Sequence, residues 1–186
     1  MAILLTTHRF TVADYHRMVE ARILDEDDRV ELIEGEIVDM SPIGRKHAVC
    51  VARLTDVFGE RLRRRAVVWP QNPIRLDEHT EPQPDLALLR WRSDYYAERD
   101  PTPADVLLLI EVCDTSLAVD RDLKALLYAR AGIPEVWVLD LNGRDVIVFR
   151  DPAPAGYRSI DTYRGGDRLS PGSFPDLSFT ADQILG

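Results

Sequence analysis

The chain has 186 residues, of which 45% are hydrophobic and 30% charged, a composition typical of a soluble globular protein. Its length fits one domain, residues 1–186, with a full hydrophobic core. The net charge of −9 argues against a general nucleic-acid binder, because such proteins usually carry a basic surface. No segment approaches the roughly 20 apolar residues of a membrane span, and the N-terminus lacks the basic region of a signal peptide. We therefore expect a cytoplasmic protein with reduced thiols and no membrane contact.

The basic residues are nevertheless concentrated in a few segments. The densest of these contain Arg61, Arg63, Arg64 and Arg65, then Arg90 and Arg92, and Arg45 with Lys46. Solvated helix and strand faces explain such clusters as readily as a locally basic binding face does.

The first third of the chain predicts a helix, a hairpin and a second helix. Residues 10–24 have near-helical apolar spacing, and Thr11 is the predicted N-cap of this helix. Residues 30–40 alternate around Glu34–Gly35, which predicts a hairpin whose glutamates, Glu31 and Glu36, face solvent in the simplest interpretation. The following helix is predicted over residues 45–64.

The second helix carries one histidine on its apolar side. Its stripe consists of Val51, Leu54, Phe58 and Leu62, and His47 lies one turn before Val51 on the same stripe. His47 should therefore point toward the core at the start of the helix. It is either a hydrogen-bonded structural residue or a site residue that orients a substrate phosphate or a water.

The middle of the chain predicts strands that end in carboxylates. Residues 66–69 and 74–76 have strand-like patterns, and Pro84 imposes an extended approach to Asp85, which begins the strand 85–89. Residues 106–112 form an apolar run, predicted to be covered on both faces, that stays apolar until Glu111. A carboxylate at the end of a buried strand requires a cation, a metal or a raised pKa.

The last part predicts a helix, a hairpin and short elements. The helix spans residues 120–131 and carries Lys124, with Leu123, Leu127 and Ala131 facing inward and Gly132 closing it. Strands are predicted over 135–141 and 145–150 around an Asn142–Gly143 turn. Further short strands fall near 157–163, and a terminal turn lies at 181–185.

Asp85 and Glu111 are expected at the rim of one mixed sheet. Two adjacent carboxylates repel one another, and they coexist when a divalent cation lies between them. Such a cation can lower the pKa of a bound water and hold a phosphate oxygen. A neighbouring lysine would stabilise a phosphoryl transition state or orient the water.

These residues resemble a known nuclease motif. Pro84–Asp85 followed by Glu111–Val112–Cys113 resembles the PD-(D/E)XK motif of restriction-endonuclease-like proteins. The chain is more closely similar to the Uma-type family of small bacterial proteins, described as a domain of unknown function and as candidate restriction endonucleases. The matching segments are VELIEGEIVDMSP, His47 on the next helix, QPDLALL, LLIEVCDTS, the helix 120–128 with Lys124, and GIPEVWVLD.

The resemblance implies an α/β (α+β) restriction-endonuclease-like fold, a mixed β-sheet flanked by helices. It also implies a Mg²⁺ or Mn²⁺ site and the hydrolysis of DNA phosphodiester bonds, with double-stranded DNA as the partner. Asp85, Glu111 and the backbone carbonyl of Val112 would hold the metal. A homodimer would suit the cleavage of both strands, although no residue specifies one.

One position departs from the motif. The lysine expected two residues after the glutamate is replaced by Cys113, a poor ligand for Mg²⁺ that carries no positive charge. The resemblance instead assigns the catalytic lysine to Lys124 on the following helix, and it places Glu31 and His47 near the same site as further catalytic candidates. Lys124 can alternatively form a surface pair with Asp120, four residues earlier.

Three rival interpretations stay open from the sequence. The protein can be a catalytically inactive nucleic-acid- or protein-binding module on the same fold, with Cys113 as the mark of lost activity. It can be a hydrolase of another phosphorylated substrate, which would suit its acidic charge. A thiol enzyme that uses Cys113 is less favoured, because a cysteine at the end of a buried strand is usually inert.

Overall fold

The computed structural model describes residues 7–25, 27–114 and 119–186, with the backbone alone at Val119 and Asp120. Its α-helices are α1 (Val12–Glu20), α2 (Arg45–Arg61), α3 (Ala125–Arg130) and α4 (Ala181–Leu185), and a π-helix (Val119–Lys124) leads directly into α3. Its strands are β1 (Val30–Ile33), β2 (Glu36–Asp39), β3 (Ala66–Pro70), β4 (Leu86–Arg90), β5 (Val106–Cys113), β6 (Glu135–Asp140), β7 (Asp145–Ala153), β8 (Gly156–Arg164), β9 (Arg168–Leu169) and β10 (Phe179–Thr180).

A six-stranded mixed sheet forms the centre of the protein. Its strand order is β3-β4-β5-β6-β7-β8, and every neighbouring pair is antiparallel except β5 and β6, which are parallel. Because β4 and β5 run in opposite directions, the start of β4 lies beside the end of β5, with Leu86 opposite Ile110. The predicted mixed sheet flanked by helices is confirmed, and its topology brings residues 85 and 111 to one rim.

Helices cover both faces of this sheet. Side chains alternate along β5, so that Ile110 and Val112 join the core on the side of α2 and α4, where Phe58 is fully buried. Leu109 and Cys113 point to the opposite face and pack in the core that contains α3. The prediction that the strand at residues 106–112 is covered on both faces is confirmed.

The N-terminal hairpin lies apart from the central sheet. Strands β1 and β2 pair only with each other, and the turn between them uses positive φ at Glu34 and Gly35, as a two-residue hairpin turn requires. The hairpin docks through a bridge from Leu32 to Glu81, whose backbone N–H donates to the Leu32 carbonyl over 2.7 Å. The predicted hairpin is confirmed, and this bridge places β1 next to the segment that precedes Asp85.

The first helix is shorter than the spacing predicted. Thr11 caps it as expected, in a reciprocal arrangement with Asp14. The helix ends at Glu20, however, and Ile23 beyond it is 69% exposed, because α1 packs chiefly through Val12 at its first turn.

Two further expectations are wrong. Residues 74–76 form no strand. The N–H groups of Ile74 and Leu76 donate to the carbonyls of Pro82 and Thr80 within their own loop, and both side chains pack against the core from that loop. Leu123, expected to face inward, is 43% exposed, because the π-helix contains an extra residue per turn and rotates the positions before α3.

The C-terminal half otherwise follows the prediction. Gly132 has φ +77° after α3, and β6 and β7 flank the turn at Asn142–Gly143. Strand β7 runs three residues further than expected and pairs with β8, and α4 forms at the predicted terminal turn.

Some expectations fall where the structure gives no description. The N-terminal residues 1–6, which bear on the signal-peptide prediction, and most of the turn-rich segment before the π-helix lie outside the described residues. Within the described residues, none of the helices combines the length and hydropathy needed to cross a lipid bilayer.

Candidate active site

A cavity of about 240 Å³ opens at the rim where β4 begins and β5 ends. Helix α2 borders it on one face of the sheet, the π-helix borders it on the other, and the hairpin β1–β2 lies over it. All the predicted site residues line this cavity, namely Glu31, His47, Asp85, Glu111, Val112 and Lys124.

Asp85 immediately precedes β4 and faces the last residues of β5. Its Oδ2 accepts a hydrogen bond from the backbone N–H of Val112 over 2.8 Å. Val112 lies just past Ile110, the last residue of β5 that pairs with β4. Its Oδ1 lies 2.9 Å from His47 Nε2. The strand end and α2 therefore hold this carboxylate from two directions.

His47 occupies the first turn of α2 and points toward the sheet, as its place on the apolar stripe predicts. Because a carboxylate only accepts hydrogen bonds, the contact with Asp85 places a proton on Nε2. The other ring nitrogen, Nδ1, is buried and has no hydrogen-bond partner within the part of the chain that is described. Most buried ring nitrogens have a hydrogen-bond partner, so the Nδ1 atom of His47 is an exception to that rule.

Glu111 is 2% exposed, and its two carboxylate oxygens face different neighbours. Oε1 accepts the hydroxyl of Tyr128 over 2.5 Å, and Oε2 lies 3.4 Å from the backbone nitrogen of Asp85. The carboxylates of residues 85 and 111 thus line the same cavity at the rim, to which their positions at the strand ends assign them.

Lys124 is buried and enters the cavity from the π-helix. Its Nζ lies 3.0 Å from Glu31 Oε1 and 3.7 Å from Glu111 Oε1. Lys124 is therefore not a surface side chain, and its predicted pairing with Asp120 falls on a side chain outside the described residues. The ammonium approaches Glu111 on the sheet face to which Cys113 also points.

Glu31 is buried, against the simplest expectation for a hairpin glutamate, whereas Glu36 across the turn is exposed as expected. The Gln83 backbone N–H donates to Glu31 Oε2 over 3.1 Å, which leaves Oε1 for Lys124. Docking of the hairpin against the segment before Asp85 carries Glu31 into the cavity.

Sequence reasoning missed Tyr128, which is fully buried and donates to Glu111. Its signal was its spacing, since position 128 lies one helical turn after Lys124 and shares its face. Cys113, which stands where the motif has lysine, is 1% exposed, and this burial disfavours a thiol enzyme.

The pKa of the Cys50 thiol in α2 is affected chiefly by burial and less by the charged groups near it. Burial raises the pKa of Cys50 to about 11, with Asp85 adding to this effect and Arg53 opposing it. Among the described residues that line the cavity, two cationic side chains face five carboxylates, namely Glu31, Asp39, Asp85, Glu111 and Asp114. A divalent cation would reduce this excess of negative charge.

The oxygen donors fit a hard cation such as Mg²⁺. Among the described residues, no group of three or more His, Cys, Asp and Glu side chains is arranged so that it could hold a metal ion by itself. Mg²⁺ does not need one, because it is usually held by one or two carboxylates and keeps water or substrate oxygens in its other positions. Asp85 and Glu111 provide such a pair. The Val112 carbonyl shares the edge of β5 with the Val112 N–H that reaches Asp85.

Comparison with known proteins agrees with this architecture. A family model, Uma2, described as "Putative restriction endonuclease", matches residues 12–182. No curated protein matches the chain. A crystal structure from Anabaena variabilis ATCC 29413, described as a "putative nuclease belonging to DUF820", is similar with a TM-score of 0.74 and 17% sequence identity. The match covers 95% of this chain and 97% of that chain, and it establishes the shared fold.

Proposed function

The chain belongs to the Uma2 family, and from this membership and the geometry of the cavity we propose that it is a metal-dependent endonuclease that hydrolyses DNA phosphodiester bonds. The observation that carries the proposal is the convergence of Asp85, Glu111 and Lys124 on one cavity, with Nζ 3.7 Å from Glu111 Oε1. These residues come from three separate segments, and burying their charges is costly unless they serve a site or compensate one another.

The carboxylates of Asp85 and Glu111, with the Val112 carbonyl, would hold Mg²⁺ or Mn²⁺. The bound ion would supply Lewis-acid activation of a phosphoryl oxygen and of water. His47 keeps Asp85 oriented through the 2.9 Å contact of its Nε2 with Oδ1.

Lys124 supplies the positive charge that the motif lysine would provide. Its ammonium stabilises the negative charge that grows on the phosphoryl oxygens as water adds to phosphorus and one P–O bond breaks. Glu31 has a positioning role, because its Oε1, 3.0 Å from Nζ, holds the ammonium beside Glu111 rather than in solvent.

The cavity mouth supports a polyanionic substrate despite the net charge of the chain. Arg45 and Lys46 are exposed in the first turn of α2, directly between Gly44 and His47, which line the cavity. Neither has a carboxylate partner among the described ion pairs, so both are available to backbone phosphates of DNA. The proposal includes a cytoplasmic homodimer that acts on both strands of a duplex, which light scattering with and without DNA would check.

Calorimetric titration of Mn²⁺ tests the metal site without assuming a substrate. The wild type should bind Mn²⁺, and Asp85→Asn should not. Asp39→Asn is the matched control, because Asp39 lines the same cavity from β2 but is not among the proposed ligands. Cleavage of plasmid DNA in Mg²⁺ should follow the same order. Equal Mn²⁺ binding by the wild type and Asp85→Asn would refute the assignment of Asp85, and binding without cleavage of any nucleic acid would favour another phosphorylated substrate.

A further inference from the structure

Tyr128 makes the shortest contact of the described hydrogen bonds to Glu111. Its hydroxyl donates to Oε1 over 2.5 Å, and its ring is fully buried in the core between α3 and the sheet. Distances of about 2.5–2.7 Å are typical of a hydroxyl that donates to an ionised carboxylate. The contact therefore joins a rigidly packed ring to a charged group at the cavity.

The hydroxyl also determines which oxygen of Glu111 faces which neighbour. Oε1 is directed to the helix side, where Tyr128 lies, and Oε2 is directed to Asp85, whose backbone nitrogen is 3.4 Å away. Lys124 Nζ, 3.7 Å from Oε1, is too far for a strong hydrogen bond and would not fix this rotation alone.

We infer that Tyr128 is a positioning residue that presents Glu111 Oε2 to the divalent cation beside Asp85, an inference that rests on the proposed metal site. Tyr128 does not touch the cation or the substrate. It acts through Glu111, because the hydrogen bond to Oε1 fixes the rotation of the carboxylate and thereby the direction of Oε2.

The expected effect follows from the rotation that the hydroxyl prevents. Without the Tyr128 hydroxyl, the Glu111 carboxylate can rotate so that both of its oxygens face the Lys124 ammonium. Loss of a hydrogen-bonding partner of a metal ligand typically weakens metal binding about 10–100-fold.

The test compares two tyrosine-to-phenylalanine substitutions. Tyr128→Phe removes the hydroxyl at Glu111, and Tyr157→Phe removes another hydroxyl in the same core, one that donates to the Ile133 carbonyl over 2.8 Å. Each variant loses one buried hydrogen bond and keeps its ring, so both should fold with similarly lowered urea midpoints. Mn²⁺ affinity, measured by calorimetry on the metal-free proteins, should fall about 10–100-fold in Tyr128→Phe and stay at the wild-type value in Tyr157→Phe.

The outcomes separate this inference from the function on which it rests. Equal Mn²⁺ affinity of Tyr128→Phe and wild type would overturn the positioning role and leave the metal site intact. Equal losses in both variants would show a general effect of core stability and would also overturn it. A wild type that binds no Mn²⁺ would overturn both the positioning role and the proposed metal site.

Discussion

Lys124 and Glu31 form a buried ion pair, with Nζ 3.0 Å from Oε1 and side chains that are 7% and 6% exposed. One partner comes from the π-helix and the other from the N-terminal hairpin, so the pair links two separate segments that border the cavity. Buried pairs of this kind are expensive to break from one side only, because the remaining charge is left without compensation.

The first prediction concerns the stability of this pair. Lys124→Met should lower the free energy of unfolding by about 3–5 kcal/mol, because Glu31 stays buried and charged. The double variant Glu31→Gln/Lys124→Met should recover most of this loss, since it removes both charges and keeps an oxygen for the Gln83 N–H. Urea unfolding of the wild type, Lys124→Met, Glu31→Gln and the double variant measures the coupling.

An exposed pair provides the control for that cycle. Arg158 and Asp151 are well exposed and 3.4 Å apart, and Arg158→Met should cost at most about 1 kcal/mol. If Lys124→Met is no more destabilising than this variant, the 3.0 Å contact does not contribute as a buried pair.

The second prediction separates turnover from metal binding. Lys124→Met should reduce the rate of DNA cleavage by a factor of about 100 or more, because it removes one stabiliser of transition-state charge. Its Mn²⁺ affinity should not fall, since the lysine is not a ligand. Single-turnover cleavage and calorimetry on the same preparation measure the two quantities. A loss of Mn²⁺ affinity that parallels the loss of rate would contradict the role assigned to Lys124.

The third prediction moves the lysine to its motif position. Glu111 and Cys113 lie on the same side of β5, so a lysine at position 113 would run beside the Glu111 carboxylate. Lys124→Ala vacates the space that the new side chain needs. Cys113→Lys in the Lys124→Ala background should therefore cleave DNA at least about tenfold faster than Lys124→Ala alone. This gain is a part of the rate enhancement that one such charge supplies.

Cys113→Ala in the same Lys124→Ala background is the matched control, because it changes the same residue without adding charge. Equal rates of the two double variants, with both folded by circular dichroism, would show that the ammonium cannot act from position 113.

The fourth prediction concerns pH. Burial raises the pKa of Cys50 to about 11 in the folded protein, above its ordinary value, so the folded state favours the neutral thiol. This stabilising contribution is complete below the unfolded-state pKa and is lost as the pH rises toward 11. The unfolding free energy of the wild type should therefore fall more steeply with pH than that of Cys50→Ala in the alkaline range, by up to about 1.4 kcal/mol per pH unit.

Urea unfolding at several pH values measures both curves. The difference between them isolates Cys50 from the tyrosines, which titrate in both proteins. Curves that stay parallel across the alkaline range would contradict the raised pKa.

The sequence by itself indicated much of the framework of the site. The hairpin could be predicted from local sequence, because the Glu34–Gly35 pair favours a two-residue turn with positive φ. The same holds for Asp85 and Glu111, since a carboxylate at the end of an apolar strand is conspicuous without any knowledge of its neighbours. Their meeting followed from placing both strands in one sheet, and the choice of Lys124 depended on the family resemblance.

Tertiary structure alone decided the surroundings of these residues. Glu31 belongs to a hairpin that pairs with no strand of the central sheet, so its burial depends on a docking contact at Glu81 that no local pattern encodes. The π-helix set which side chains of the π-helix and of α3 face the sheet, bringing Lys124 and Tyr128 to Glu111 and leaving Leu123 exposed. Apolar spacing reports an average helical period, whereas one extra residue in a turn shifts the phase, and this shift follows from the packing of the whole domain.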